Sequence, residues 1–238
     1  MHFSNRTYFE SVRFIKSKEV ETDILSEINS KLVNKEEWTE FDTSIVQRLH
    51  DQAVVSERAK EYFIKRKITK ESAIKFKLGY SETQDMICIP VHNSDGLCVG
   101  FVGRSIEGKE FKNTPKLPKS KVLFNLNRVK TASRVYVVES SFDAIRLDQV
   151  GFPAVATLGA NVSSKQIDLL QRYFSDIIII ADNDEAGGNM KEKIVERLDG
   201  NVTVINLDKQ YKDIGDMDDK SIKELEYQFD KSIVSMLN

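Results

Sequence analysis

Two stretches, Arg134-Val-Tyr-Val-Val-Glu-Ser-Ser-Phe-Asp143 and Ile177-Ile-Ile-Ile-Ala-Asp-Asn-Asp-Glu-Ala-Gly-Gly188, decide the fold of this chain. Each holds an apolar run without polar alternation, the pattern of a parallel strand covered on both faces. Each run stops at an acidic residue and gives way to a helix-forming segment. Working outward, Phe142 to Val150 reads as a helix and Ala154-Val-Ala156 as a second short strand. Ser163-Ser-Lys-Gln166 has the form of a capping box, opening a helix with Ile167, Leu170 and Phe174 on one face. Met190, Ile194 and Leu198 mark a further helix, and Val202 to Leu207 a further strand. Strands and helices alternating at this rhythm predict a parallel α/β sheet.

In such sheets ligands gather outside the carboxyl ends of the strands. Glu139 follows the first run, and Asp182 and Asp184 follow the second. Asp143 lies four residues beyond Glu139, about one helical turn. Asp213 and Asp216, in Lys212-Asp-Ile-Gly-Asp216, come just past the Val202 to Leu207 strand. An Asp-x-Asp or a lone Glu at a strand end is commonly a helix cap or a solvated turn. Several carboxylates meeting on one rim repel one another unless cations neutralise them. Oxygen-only ligands suit Mg²⁺, with Mn²⁺ as an alternative, and such sites serve phosphoryl and nucleotidyl transfer. Glu139, Asp182 and Asp184 are therefore the candidate catalytic residues, and these three with Asp143, Asp213 and Asp216 the candidate metal ligands.

Upstream the texture differs. Tyr62 to Leu78 reads as two helices broken near Ile68-Thr69, with Gly79 as a left-handed stop. Met86-Ile-Cys-Ile-Pro-Val91 and Leu97-Cys-Val-Gly-Phe-Val102 flank Asp95-Gly96, a hairpin signature. From Arg104 to Lys130 there are eight basic residues and two acidic ones, and Pro115 and Pro118 bar a long helix. Arg104, Lys109, Lys112, Lys116, Lys119 and Lys121, with Phe111 interleaved, are candidates for binding single-stranded nucleic acid by phosphate neutralisation and base stacking. Phe124, between Leu123 and Leu126, reads as core, and Lys65-Arg66-Lys67 as phosphate contacts or the polar face of its helix.

Taken together, Val137-Val-Glu-Ser-Ser-Phe-Asp143 and Asp182-Asn-Asp184 before Glu-Ala-Gly-Gly188 resemble the Toprim domain of bacterial-type (DnaG-type) primases. The likeness extends upstream through Tyr62-Phe-Ile-Lys-Arg-Lys-Ile68, Lys77-Leu-Gly-Tyr80, Gly100-Phe-Val-Gly-Arg104, Asn113-Thr-Pro115 and Leu123-Phe-Asn-Leu126. Toprim motifs alone are shared with topoisomerases, nucleases and repair proteins, and the upstream elements narrow the choice. The resemblance implies that Glu139 organises metal near the reacting hydroxyl and that Asp182 and Asp184 hold divalent ions. It makes Asp143 and Asp213 further acids of that region, with Asp216 one residue out of the usual spacing. Arg104 falls on a nucleotide- or nucleic-acid-contacting arginine, and Lys119 on a basic residue of the template ridge. Ser140 and Asn183 stand where glycine is common. With no zinc ribbon or C-terminal bundle recognised, the compact build resembles a phage or mobile-element primase core.

The implied activity is synthesis of short RNA primers from ribonucleoside triphosphates on a single-stranded DNA template, with a replicative helicase or a separate zinc-module protein as partner. A Toprim-type nuclease and a non-catalytic single-strand-binding replisome subunit are the alternatives. The chain has 238 residues, 40% hydrophobic and 30% charged, which excludes wholesale disorder. A net charge of −2 hides a segregation: +9 over residues 58–130 and −11 over the rest. Cys88 and Cys98 with His92 do not complete a zinc site, so no zinc is expected in this chain. The N-terminus lacks an apolar signal core and the run Ile177 to Ala181 is too short to span a bilayer, so a cytoplasmic protein without membrane attachment is expected, bacterial or in a phage-infected host. The expected organisation is a helical segment at 1–57, a smaller basic α+β subdomain at 58–130, a Rossmann-like Toprim sheet at 131–217 and a helix at 218–238.

Overall fold

The parallel strands form as their composition demands. In the computed structural model, which describes residues 39–108, 110–198 and 201–225, β5 (Arg134–Val138) lies at the centre of a sheet beside β7 (Asp176–Ala181). β6 (Ala154–Ala156) and β8 (Asn201–Asn206) flank them, in the order β6-β5-β7-β8, all parallel. The unbroken apolar runs have the expected cause. Val135, Val137, Ile177 and Ile179 enter one core with Ile167, Leu170, Met190 and Ile194. Tyr136, Val138, Ile178 and Ile180 enter the other with Phe142, Ile145, Ile222 and Leu225.

The helices sort accordingly. α5 (Ser141–Gln149) buries against the second face, while α6 (Ser164–Tyr173) and α7 (Glu185–Val195) cover the first. The chain steps from β5 to β6 on one side and then crosses back to β7 on the other. That makes the gap between β5 and β7 the point where strand order reverses. The capping box of α6 is complete, with Ser163 and Gln166 each accepting from the other's backbone N–H. Gln166, fully buried, also turns its amide toward the carbonyls of Lys119, Val122 and Thr157, tying α6 to the basic segment.

Before this sheet comes an antiparallel one, β1 (Gly79–Ser81), β2 (Met86–His92), β3 (Cys98–Ser105) and β4 (Phe111–Asn113) in sequence order. The β2–β3 hairpin turns at Asp95-Gly96, where Gly96 has φ 87° and the Asn93 side chain accepts from the N–H groups of Asp95 and Leu97. Helices α1 (Thr43–Val55), α2 (Glu57–Lys65) and α3 (Lys70–Lys75) precede it. The break between α2 and α3 falls where the sequence places it, with Thr69 capping α3. The expected stop at Gly79 is corrected. Lys77 takes the left-handed conformation (φ 52°), and the Leu78 N–H closes the helix end on the Ala73 carbonyl. Gly79 opens β1 instead, because a Cβ there would stand 2.7 Å from Leu49 Cβ of α1.

A single core unites α2, the antiparallel sheet and one face of the parallel sheet, through Phe63, Ile87, Val102, Val138 and Ile178 among others. Phe124 belongs to it, 5.8 Å from Phe76 in a stacked arrangement, and bridges to the β6 edge at Ala156. A 3-10 turn (Lys119–Lys121) and α4 (Leu126–Val129) lie on either side of Phe124. Helical residues resume at 219 and continue to 225, the end of the described region. Val20, Ile24, Ile28 and Leu32, whose spacing of four predicts one apolar stripe of a helix in the N-terminal segment, lie outside the described residues, as do Lys109 and the remainder of the expected C-terminal helix.

Candidate active site

Strand ends and helix caps bring the acids to the strand-order reversal. Glu139 immediately follows β5 and Asp182 immediately follows β7, neighbouring strands of one sheet. Asp184 is the N-cap of α7, its Oδ1 accepting the Gly187 N–H at 2.9 Å. Ser140, the N-cap of α5, accepts the Asp143 N–H and donates to Asp143 Oδ2 at 2.5 Å, so a serine serves here where a glycine cannot. The other Asp143 oxygen accepts the Gly215 N–H at 2.9 Å. Asp213 caps a 3-10 turn (Ile214–Asp216), accepting from the Asp216 N–H. Gly215 lies between two carboxylates: a Cβ there would stand 3.0 Å from Asp213 Oδ1 and 3.5 Å from Asp143 Oδ1.

Glu139, Asp143, Asp182, Asp184 and Asp213 line one cleft of about 530 Å³. The same cleft is lined by Arg66, Arg104, Lys119 and Lys212, with Phe111 and Asn113 of β4. The Arg104 guanidinium lies 4.1 Å from the ring centre of Phe111, which is 62% exposed. Arg66 is braced against Tyr62 and Phe142. Of the remaining predicted residues, Asp216 is not part of the lining; its carboxylate accepts the Lys212 N–H of its own loop. Lys112, Lys116 and Lys121 are exposed on the β4-to-turn segment outside the lining.

Crowding shows in the acids' proton affinities. Burial first, then the charges of Asp143, Glu139, Asp213 and Asp184, push Asp182 up to about 8. Burial and Asp213 push Asp143 up to about 7 against the pull of Ser140, Gly215 and Arg66. Glu139 is raised by burial and by Asp184, while Lys212 and the Ala160 N–H oppose the rise. Among the described residues no three acidic, histidine or cysteine side chains are disposed to cage a single ion. Both Asp143 oxygens and one oxygen each of Asp184 and Asp213 are occupied by hydrogen bonds. The donor set nonetheless fits a hard divalent cation that takes one or two carboxylates and keeps waters. Such a charge offsets both the burial and the repulsion that raise Asp143 and Asp182.

Three contributors escaped the sequence reading. Lys212 Nζ stands 3.9 Å from Asp184 Oδ2. Asp143, Arg146 and Gln149 recur every three residues along one face of α5 and form a clamp. Arg146, 1% exposed, donates to the carbonyls of Lys67 and Met217 and to Asp219. Gln149 bonds the Lys67 carbonyl and the Thr69 N–H, and Lys67 Nζ reaches back to the Asp216 and Met217 carbonyls. The clamp fixes the loop carrying Asp213 and the turn carrying Arg66 to the helix that begins beside Glu139. The i, i+3, i+6 spacing was the available signal.

Residues 136–220 match the family model described as Toprim-like, so the sheet that presents these acids is a Toprim-like domain. Over 128 residues, 49% of this chain, the sequence is 37% identical to the DNA primase of Synechococcus elongatus, of which the match covers 18%. The chain spans about a quarter or less of the length of the curated relatives it matches. A DNA primase domain from Pseudomonas aeruginosa superposes with a TM-score of 0.64 at 22% identity, covering 81% of this chain and 83% of that one. A DnaG primase catalytic domain bound to single-stranded DNA gives 0.63 at 20% identity, over 78% and 79%. The fold is that of the DnaG-type primase catalytic core. Among the described residues no helix is long and apolar enough to cross a membrane.

Proposed function

We propose that this chain is a primase catalytic core, joining ribonucleotides into short RNA primers on single-stranded DNA by divalent-cation-dependent nucleotidyl transfer. The observation that carries this reading is the cleft that the strand-end acids share with Arg66, Arg104 and Lys119. Glu139, Asp182 and Asp184 are the residues that would hold Mg²⁺ or Mn²⁺, with Asp143 and Asp213 shaping the site from behind. The cation supplies a lowered pKa for the primer 3′-hydroxyl and neutralises the triphosphate. Arg66 and Lys119 orient phosphate oxygens by charge-assisted hydrogen bonds. Arg104 and Phe111 offer a cation and an exposed ring to a template strand. Lys112, Lys116 and Lys121 extend the basic surface along the phosphate backbone. A replicative helicase and a zinc-module protein are the partners this reading calls for, in a bacterial or phage-infected cytoplasm.

The test is incubation of the full chain with single-stranded DNA, labelled ribonucleoside triphosphates and Mg²⁺ or Mn²⁺. Labelled products that lengthen with time, and that Asp184→Asn reduces about 10²–10⁴-fold as for other preorganised electrostatic sites, are the expected result. Shortening of the DNA without ribonucleotide incorporation would identify a nuclease. Template binding with no turnover in the presence of a zinc-module partner would identify a non-catalytic subunit.

A further inference from the structure

Asn183, the residue between the paired aspartates, has no part in the reading above, yet it is bonded on both its main chain and its side chain. Its N–H donates to the Lys212 carbonyl at 2.8 Å. Its amide Nδ2 lies 3.2 Å from the Leu207 carbonyl, 3.0 Å from that of Asp208 and 2.7 Å from that of Tyr211. A glycine would keep the first of these bonds and lose the other three. The loop that follows β8 is thereby fastened to the end of β7, and its last residue before Asp213 is delivered into the cleft. That residue is Lys212. Its N–H is taken by Asp216 Oδ2, and its ammonium lies 3.9 Å from Asp184 Oδ2 while its side chain stays 64% exposed. The same ammonium opposes the upward shift of the Glu139 carboxyl.

We infer that Asn183 is a positioning residue that holds Lys212 over the acids as a resident counter-cation, one that competes with divalent ions for the cleft. This rests on the proposed divalent-cation site. A cation already placed against Asp184 lessens carboxylate repulsion when no metal is bound, and it opposes the approach of a second positive charge. Removing Lys212 therefore strengthens metal binding, whereas removing a ligand or a structural support weakens it. The two roles predict opposite signs.

The measurement is Mn²⁺ binding to the full chain without nucleotide or DNA, followed by the electron paramagnetic resonance signal of free Mn²⁺. Lys212→Gln should bind Mn²⁺ about threefold to tenfold more tightly than wild type, the scale of one unit charge removed from beside a carboxylate ligand in an exposed, salt-screened site. Lys212→Arg, which keeps the charge, should stay within about twofold of wild type. Asn183→Ala should tighten binding as Lys212→Gln does, and adding it to Lys212→Gln should bring no further gain. Weaker binding by Asn183→Ala with normal thermal stability would overturn the positioning role. Unchanged or weaker binding by Lys212→Gln would overturn the inference as a whole. Should Asn183→Ala fail to fold, the Lys212 substitutions still decide the counter-cation role, and Asn183→Gly, which keeps the main-chain bond to Lys212 and loses the amide, takes its place in the test of positioning. A wild-type protein that binds no Mn²⁺ would instead overturn the metal reading on which this rests.

Discussion

Replacing Gly187 with alanine sets the backbone of the site against itself. An added Cβ would stand 2.4 Å from the Asp182 carbonyl oxygen, 2.7 Å from its nitrogen and 3.0 Å from its carbonyl carbon. Ordinary contact begins near 3.4 Å, so α7 and the residue after β7 must part by about 1 Å. These are main-chain atoms of a residue that follows a buried strand, and no flexible side-chain end can yield in their place. Overpacking of this kind costs about 1–3 kcal/mol, offset by up to about 1 kcal/mol of gained helix propensity. With mid-range values the net is about 1 kcal/mol, a loss of roughly 2–4 °C in Tm for a domain of this size. Displacing Asp182 by about 1 Å should lower primer synthesis by about 10²-fold. Gly188 is the control within the same helix, since a Cβ there meets nothing within 4 Å. Gly188→Ala should raise Tm by about 1–3 °C and leave synthesis intact. Calorimetry and ribonucleotide incorporation on the two variants read both effects. Equal stability and activity of Gly187→Ala and Gly188→Ala would refute the close approach on which the position of Asp182 depends.

Three further outcomes follow from the same geometry. Asp143 at about 7 and Asp182 at about 8 bind protons more tightly folded than unfolded. As pH rises from about 4 to about 8 the unfolded chain releases these protons first, so in chelator the Tm should fall across that window and Mg²⁺ should restore it; a Tm that climbs from pH 5 to pH 8 without cation would contradict this. Arg146→Met removes a buried cation and its bonds to the carbonyls of Lys67 and Met217, and should cost about 2–4 kcal/mol in urea unfolding. A loss under 0.5 kcal/mol, the ordinary range for a surface change, would mean that the α5 clamp carries no load. Lys119→Ala should weaken single-stranded DNA binding and reduce the salt slope by about 0.7, the value for one lost phosphate contact, and an unchanged slope would remove Lys119 from the template path.

The parallel half was legible because each residue there obeys a local rule. Uninterrupted apolar runs at Val135–Val138 and Ile177–Ile180 meant strands covered on both faces, and strand ends on an open sheet point to Glu139 and Asp182. Ser163 with Gln166, and Asp95 with Gly96, announced a cap and a turn through short-range bonding that the structure contains. What escaped depends on contacts across long stretches of chain. β1 and β4 are three residues each, too short for any period to register. Gly79 looked like a helix stop because its real constraint, the backbone of α1 thirty residues earlier, leaves no local trace. Arg66 reads as a phosphate contact or as part of the polar face of its helix, and nothing local assigns a role to Arg146 or Lys212; their surroundings come together only where α2, α5 and the loop after β8 converge. Asn183 was noted as a departure from glycine, but the carbonyls that its amide meets lie 24–28 residues further along.

The proposed chemistry depends on one meeting of side chains at the end of the parallel sheet. Anomalous scattering from a crystal of the full chain soaked in Mn²⁺ locates the ion directly. A peak in the cleft, within reach of one or two of the carboxylates of Glu139, Asp182 and Asp184, is expected, and it should disappear in Asp182→Asn. Well-ordered acids with no peak among them at millimolar Mn²⁺, or a peak that persists without Asp182, would contradict it.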